Sequence, residues 1–208
     1  MKSVLISNRP KWCGKICHEI GKDENGKPIY EKRIEVRKTA PKEVPFKAYI
    51  YCTYGNDREN YMLGSQGKII GEFICDKVYN IEPIFSFYDC YSGYDDSSDS
   101  SYFEDYSIDD ERLKKTCLTR QELYIYGKEK TLYGWNISDL NIYDKPKKLS
   151  EFYVHKEVRG GCENCAYYRT PTIEFCQGCK SGKQPKKYLT SPPMSWQYVE
   201  ELKNEQRN

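Results

Sequence analysis

Four cysteines near the C-terminal end have the spacing of a metal site. They lie in CENCAYYRTPTIEFCQGC, residues 162 to 179, as two Cys-x-x-Cys pairs separated by ten residues. Each pair can lie in a tight turn, and the two pairs together can bind one ion. Four thiolates with Zn–S distances of about 2.3 Å suit tetrahedral zinc and leave no coordination position open for catalysis. The sequence therefore predicts a structural zinc site formed by Cys162, Cys165, Cys176 and Cys179.

Other interpretations of these cysteines are disulfides, four unrelated thiols or an iron–sulfur cluster. The first residues, MKSVLISNRPKW, contain only a short apolar stretch, which is not typical of a signal peptide. We therefore expect a cytoplasmic protein with reduced thiols, and ten cysteines in such a chain favour metal binding over a disulfide framework. A unit this small buries little, so the metal is expected to supply much of its folding free energy.

A second chemical feature is the charged stretch KRIEVRK, residues 32 to 38. Strand alternation places Arg33, Glu35 and Arg37 on one face and Ile34 and Val36 on the other. One interpretation is a solvated face with Glu35 paired between two arginines, where such pairs contribute ~0–1 kcal/mol. The other is the wall of a binding site, because a guanidinium suits phosphate or a base edge and a carboxylate accepts from the exocyclic amine of cytosine or adenine.

Further candidate ligand contacts lie on the neighbouring segments. Lys11 on the first helix could contact a backbone phosphate, and aromatic rings could stack on bases. Trp12 belongs to an apolar stripe of that helix, which predicts core packing. The run YGWNIS is different, because Trp135 lies next to a glycine and Asn136 and Ser138 have the opposite parity.

The elements that must position these residues are mostly short strands. A chain of 208 residues with modest apolar content and twenty tyrosines suits one small β-rich domain with an appendage, and no apolar run is long enough for a membrane span. Gly71 inside a long strand indicates a bulge or a close backbone approach. The predicted strands are 3–7, 30–38, 45–54, 67–81 and 132–146, and the predicted helices are 8–20 and 119–127.

This pattern predicts an α+β fold, a small closed or half-closed β-barrel with flanking helices. The predicted divisions are a barrel domain over residues 1–155, a zinc ribbon over 156–190 and a helical tail over 191–208. Within the barrel domain, residues 88–111 form an acidic, tyrosine-rich stretch whose first part is expected to be a mobile loop.

The segments RPKWCGKI, KRIEVRKTAP, PFKAYIYCT, GKIIGEFICDKV and LYGWNISDLNIYDKPKKLSEF, taken in order, resemble an ASCH domain, a relative of the PUA fold. The resemblance covers roughly residues 3 to 153 and is greatest to ASCH proteins of Gram-positive bacteria and their phages. It implies a PUA-like barrel with a cleft beside the first helix, RNA binding as the general activity, and in some small members an amidohydrolase that deacylates the exocyclic amine of cytidine.

The resemblance also assigns positions within the cleft, where it places the YGWNIS segment and so implies ligand contacts by Trp135, Asn136 and Ser138. Lys32, Glu35 and Arg37 match the lysine, acid and arginine of the family motif, whereas its preceding glycine is replaced by the insertion GKDENGKPIYE. In the amidohydrolase members a lysine and a threonine of this strand act with a later glutamate. Lys32 matches that lysine, but Glu35 occupies the threonine position and the later glutamate has no evident counterpart.

Three functions follow as hypotheses. The first is a nucleic-acid-binding module that holds RNA or a modified nucleotide beside KRIEVRK, through Lys11, Lys32, Glu35, Arg37 and the YGWNIS segment. The second is an amidohydrolase in which Lys32 and Glu35 are catalytic, and the missing threonine counts against it. The third is a protein-interaction module, possible for a phage-encoded protein, whose residues 88–111 engage a host partner.

Overall fold

The computed structural model describes residues 1–55, 64–87, 101–155 and 186–201, and these form the predicted α+β fold. The described part contains three α-helices, which are α1 (Pro10–Cys17), α2 (Asp110–Thr116) and α3 (Arg120–Gly127). Its strands are β1 (Ser3–Asn8), β2 (Glu19–Lys22), β3 (Pro28–Tyr30), β4 (Ile34–Arg37), β5 (Phe46–Cys52), β6 (Lys68–Cys75), β7 (Val78–Ile81), β8 (Pro83–Phe87), β9 (Ser101–Tyr106), β10 (Leu132–Asn136), β11 (Ser138–Lys147), β12 (Phe152–His155), β13 (Lys186–Tyr188), β14 (Trp196–Tyr198) and β15 (Glu200–Glu201).

The largest sheet has five strands in the order β11-β6-β5-β1-β14. Strand β1 runs parallel to β5, and the other three pairings are antiparallel. Both faces of this sheet are covered, since Val4 and Ile6 of β1 belong to one apolar cluster and Leu5 to another. The alternation in SVLIS therefore points its side chains into two different cores.

Gly71 lies inside strand β6, next to an irregularity in its pairing with β5. An added Cβ at this glycine would lie 2.6 Å from the carbonyl oxygen of Asn141. The predicted bulge or close backbone approach is confirmed. The prediction of one continuous strand over residues 67–81 is wrong at its end, because β6 stops at Cys75 and β7 joins another sheet.

A second sheet, ordered β4-β10-β7, carries the charged stretch identified in the sequence. It shares a third apolar cluster with α2, α3 and the β8–β9 hairpin, to which Ile34 and Val36 contribute from β4 and Leu123 from α3. Strand β4 is buried at all four positions because both of its faces are covered, so of the two interpretations of KRIEVRK the solvated face is wrong.

The helix termini follow the sequence signals. Pro10 occupies the first turn of α1 after Arg9 as N-cap, and Thr119 and Glu122 form the predicted capping box of α3. Helix α1 ends at Cys17 and the chain enters β2 at Glu19, so its predicted extension to Ile20 is wrong. The apolar spacing of α1 continues to Ile20 in the sequence, but the chain leaves the helix before that residue to form the β2–β3 hairpin.

The domain architecture differs from the sequence predictions in the closure of the barrel and in the C-terminal segment. In the ranges that the structure covers, the strands form separate open sheets and no closed barrel. Residues 196–201 form β14 and β15 where a helix was predicted, since this segment completes two sheet edges. Residues 101–111 contain β9 and the start of α2, whereas 88–100 and the four cysteines Cys162, Cys165, Cys176 and Cys179 lie outside the described residues.

No helix in the described part of the chain is both long enough and apolar enough to cross a membrane.

Candidate functional site

A cavity of about 460 Å³ opens where strand β4 meets the ends of helices α1 and α3. Its walls are largely apolar and its floor is charged. The apolar lining comes from Trp12, Val36, Leu118, Ile125 and Tyr126, and the charged lining from Arg9, Lys32, Glu35, Arg37, Lys38 and Glu122. KRIEVRK therefore lines a cavity and is not a solvated strand face.

The floor of the cavity is a buried ion cluster. Glu35 Oε1 lies 3.0 Å from Arg37 Nη2, and Glu35 Oε2 lies 3.5 Å from Lys32 Nζ. The three side chains are only 3–8% exposed. One carboxylate between two cations leaves a net positive charge in a place that water scarcely reaches, which strengthens its interactions with a ligand.

Arg37 is held by the first strand and by the C-terminal segment. Its Nη2 donates to the Asn8 Oδ1 atom and, over 3.1 Å, to the Ser7 carbonyl oxygen. Its Nη1 lies 3.4 Å from the carbonyl oxygen of Ser195. The amide nitrogen of Asn8 approaches Glu35 Oε2 at 3.5 Å, so Asn8 contacts both partners of the ion pair. These contacts fix the guanidinium plane before any ligand arrives.

Lys32 is held from the opposite side. Its Nζ donates to the carbonyl oxygen of Thr116 at the end of α2 over 2.7 Å and lies 5.3 Å from the centre of the Trp12 ring. The Trp12 side chain is half-buried and lines the cavity, so its predicted place in the core is wrong. Cys13 and Ile16 form the buried face of α1, and Trp12 overhangs the cavity at the edge of that face.

All buried polar side chains of the described residues belong to or adjoin this one cluster. They are Asn8, Lys32, Glu35, Arg37 and Thr116. Buried polar groups are costly unless they are hydrogen-bonded or paired. Their concentration at the floor of one cavity makes this place the candidate functional site of the described residues.

Glu122 of α3 lines the cavity, whereas Lys11, a predicted ligand contact, is not among the lining residues and lies beside Glu122. The Glu122 carboxylate accepts from the Thr119 backbone N–H and, more distantly, from Lys11 Nζ at 3.6 Å. The backbone hydrogen bond and the nearby lysine lower the pKa of Glu122. Burial raises the pKa of Tyr126 on the same helix, so its ring faces the cavity as a neutral phenol.

Three predicted ligand contacts lie elsewhere. Trp135 is fully buried and its ring contacts Phe46 and Trp196 at centroid distances of 5.0 and 5.8 Å, so it is a core residue and cannot stack on a ligand here. Asn136 donates to Asp76, and Ser138 donates to the Ile74 carbonyl oxygen. None of the three lines the cavity, because β10 turns its tryptophan inward between the two sheets.

The cavity and the ion cluster at its floor also involve residues that the sequence did not single out. Asn8, Thr116 and Tyr126 come from a strand end, a helix end and a second helix, each far in sequence from KRIEVRK. Nothing in their local sequence distinguishes them from ordinary polar or aromatic positions. Only the tertiary arrangement brings them to the charged floor.

The described residues contain no group of three or more histidine, cysteine or acidic side chains arranged to hold a metal. Of the thiols of this region, Cys13 and Cys52 are buried in the core, and Cys17 is half-buried against it. The predicted zinc ligands belong to residues 156–185, on which the structure gives no description.

No family model matches the chain, and no curated protein is similar to it by sequence. Solved structures similar to it include an ASCH protein from Zymomonas mobilis, with 13% identity and a TM-score of 0.45 over 95% of this chain and 87% of that one. Two single-residue variants of the same protein give TM-scores of 0.45 and 0.44 at 12% and 13% identity. These values are too low to assign a function, which has to be argued from the chain's own site.

Proposed function

We propose that the chain is a nucleic-acid-binding module whose cavity takes one nucleotide unit of RNA or a modified nucleotide. The observation that carries the proposal is the buried Lys32–Glu35–Arg37 cluster at the floor of an apolar-walled cavity of about 460 Å³. Small-molecule sites are typically ~300–1,000 Å³, mostly apolar and equipped with a few convergent polar groups.

The lining suits the two parts of a nucleotide. Trp12 and Tyr126 offer aromatic surface for a base, and base–aromatic stacking tolerates any base because each has a π-face. Arg37 and Lys32 offer fixed donors at the floor, while Arg9 and Lys38 are exposed cations at the mouth. The sequence resemblance to ASCH domains, which are generally RNA-binding, supports the same assignment.

Binding of short single-stranded RNA at several salt concentrations tests the proposal. We expect affinity that falls steeply as salt rises, because neutralised phosphates release counterions. Arg37→Met should abolish binding, and Lys145→Ala, an exposed lysine of β11 that does not line the cavity, should leave it unchanged. Absence of binding to RNA and to mononucleotides at low salt would refute the proposal.

An amidohydrolase acting on acylated cytidine is the second candidate, and one observation favours it. Lys32 Nζ and Glu35 Oε2 lie 3.5 Å apart at the wall of the cavity, where a lysine and an acid could act on an amide carbonyl and a water molecule. Lys32 is, however, also engaged with the Thr116 carbonyl oxygen. Turnover of an N-acylated cytidine that is lost in Lys32→Ala would establish this activity.

Two further parts of the proposal concern residues outside the described ranges. We propose that Cys162, Cys165, Cys176 and Cys179 hold a structural zinc ion, on the basis of their spacing and the chemistry of four thiolates. A protein partner that binds through residues 88–111 stays a prediction from their acidic, tyrosine-rich composition.

A further inference from the structure

Both carboxylates that line the cavity are already occupied by donors of the protein. Glu35 receives Arg37 on one oxygen, and Lys32 and the Asn8 amide on the other. Glu122 receives the backbone N–H and hydroxyl of Thr119 at 2.9 and 3.2 Å on one oxygen. Its other oxygen faces Lys11 at 3.6 Å.

The two exposed cations of the cavity, Arg9 and Lys38, are less completely engaged. Within the described residues, the exposed Arg9 side chain makes no hydrogen bond or ion pair, and Lys38 contacts only the Tyr126 ring at 5.1 Å. Arg37 Nε also has no acceptor in that part of the chain. The groups that remain free to bind a ligand are therefore mainly positively charged hydrogen-bond donors.

The charge balance leads to the same conclusion. Four cationic and two anionic side chains line the cavity, whereas the whole chain of 208 residues has a formal net charge of only +2. A cavity with an excess of one sign and low-dielectric walls concentrates ligands of the opposite sign. Guanidinium groups in addition match the geometry of a phosphate.

We infer that the ligand is recognised through an anionic phosphate group bound by Arg9 and Lys38 at the mouth, and that Glu35 is a positioning residue that orients Arg37 and Lys32 without touching the ligand. This inference rests on the proposed nucleotide binding and narrows it. Glu35 then does not read an exocyclic amine, which is the role that the sequence suggested. The phosphate belongs either to a free nucleoside 5′-monophosphate or to a phosphodiester of RNA.

Calorimetric titration of the full-length protein with paired ligands tests the phosphate. The pairs are cytidine with its 5′-monophosphate and uridine with its 5′-monophosphate, together with an oligouridine that lacks terminal phosphates. We expect at least about tenfold tighter binding of a phosphate-bearing ligand than of its nucleoside, and the ratio should shrink at high salt, since each charged hydrogen bond is worth roughly a factor of ten or more. Tight binding of the monophosphates identifies a free nucleotide, and tight binding of the oligouridine alone identifies a phosphodiester.

Nucleosides that bind as tightly as the phosphate-bearing ligands would overturn the inference while leaving nucleotide-unit binding intact. If no nucleoside, nucleotide or RNA binds, the proposed function itself fails. The two failures are therefore distinguishable in one experiment.

Variants assign the roles. Arg9→Ala and Lys38→Ala are both at exposed positions. Each should weaken the binding of the phosphate-bearing ligand by about three- to tenfold and change the binding of the nucleoside less than about twofold. Lys145→Ala serves as the matched control. An equal loss for nucleoside and phosphate ligands in both variants would contradict a phosphate contact.

Glu35→Gln separates positioning from direct contact, once circular dichroism shows that the variant folds. If Glu35 only orients Arg37 and Lys32, the substitution changes the affinities for the cytidine and the uridine ligands by the same factor. A selective loss of the cytidine ligands by about tenfold would show that the carboxylate reads their amine, against the inference.

Discussion

The carboxylate of Glu35 and the guanidinium of Arg37 form a 3.0 Å ion pair in which both side chains are more than nine-tenths buried. Lys32 approaches the same carboxylate from the other side. Taking three charges out of water is expensive, and such a cluster persists only where each member is held by additional hydrogen bonds. Asn8, Thr116 and Ser195 provide them, which gives the cavity a rigid floor.

Removal of Glu35 should therefore destabilise the whole domain. Glu35→Ala leaves Lys32 and Arg37 buried without their shared anion, and breaking a buried pair from one side costs about 3–5 kcal/mol. We expect the free energy of unfolding, measured in urea, to fall by that order. Glu43→Gln, which breaks the exposed pair with Lys2, should produce no measurable change. Equal stability of Glu35→Ala and the parent chain would contradict the buried cluster.

Tryptophan fluorescence should report ligand binding through one of three residues. Trp12 lines the cavity, Trp135 is fully buried, and Trp196 is packed on Trp135 while donating to Thr39. A base that stacks on Trp12 should quench its emission, so Trp12→Phe is expected to remove most of the ligand-dependent change. Trp196→Phe is the matched control and should retain it. Quenching that persists in Trp12→Phe would place the ligand elsewhere.

The two tryptophans show how far sequence patterns reach. Periodicity predicted Trp12 in the core and the family resemblance placed Trp135 at the site, and the structure reverses both. A period of four identifies which side of α1 faces inward, but it does not show where the core ends and a cavity begins. The resemblance placed Trp135 at the cleft together with Asn136 and Ser138, but Asn136 bonds to Asp76 and Ser138 bonds to strand β6.

Predictions that depend on a few neighbouring residues were more dependable. The Thr119–Glu122 capping box, Pro10 in the first helical turn and the backbone approach at Gly71 depend on a few neighbouring residues, and all three predictions are confirmed. The burial of Glu35 could not be predicted, because it requires Asn8 and Ser195 to reach the same strand from both ends of the chain.

Gly71→Ala should weaken the five-stranded sheet. The new methyl group would lie 2.6 Å from the Asn141 carbonyl oxygen, a backbone atom that cannot move without disturbing the β6–β11 pairing. We expect a loss of stability of roughly 1–3 kcal/mol, as for overpacking of a well-filled site, read as a lower urea midpoint. The comparison variant Gly26→Ala has open space around it but a φ of +77°, so its cost is the backbone strain alone, about 1–2 kcal/mol. A Gly71→Ala domain as stable as the parent would refute the close approach.

Buried thiols should make the protein less stable at alkaline pH. Burial raises the pKa of Cys17 to about 11 and that of Cys75 to about 12, from a usual value near 9. The unfolded chain then loses these protons first, so their stabilising contribution is complete below pH ~9 and is lost as pH rises through the folded pKa values. Urea midpoints should fall as pH is raised above about 9, before most tyrosines titrate.

Cys75→Ala is the variant that attributes this effect. Because it removes one of the two thiols, the fall in midpoint between pH 8 and 10 should be smaller than in the parent chain, although the variant starts from a lower stability. An identical fall in both proteins would show that Cys75 is not responsible. Native-state alkylation gives an independent measurement, since fully buried thiols such as Cys13 and Cys52 should react far more slowly than in urea.

The strands that flank residues 156–185 bear on the predicted zinc site. Strands β12 and β13 pair with Val154 opposite Lys187 and His155 opposite Lys186, so the chain leaves and returns at neighbouring positions of one sheet. An insertion between paired strands can close on itself without disturbing the fold around it. We therefore expect about one equivalent of zinc in protein purified without chelators, measured by elemental analysis.

Substitution of a predicted ligand should remove the metal and spare the domain. Cys165→Ser is expected to lower zinc content to far below one equivalent and to expose residues 156–185 to proteolysis, because a unit this small depends on its metal to fold. The urea midpoint of the remaining chain should change little, since the segment that follows is held by contacts of its own, among them the buried Leu189 and Val199. Cys75→Ser is the matched control and should keep the zinc. A parent protein with far less than one equivalent would refute the metal site, whereas full zinc content in Cys165→Ser would exclude this cysteine as a ligand.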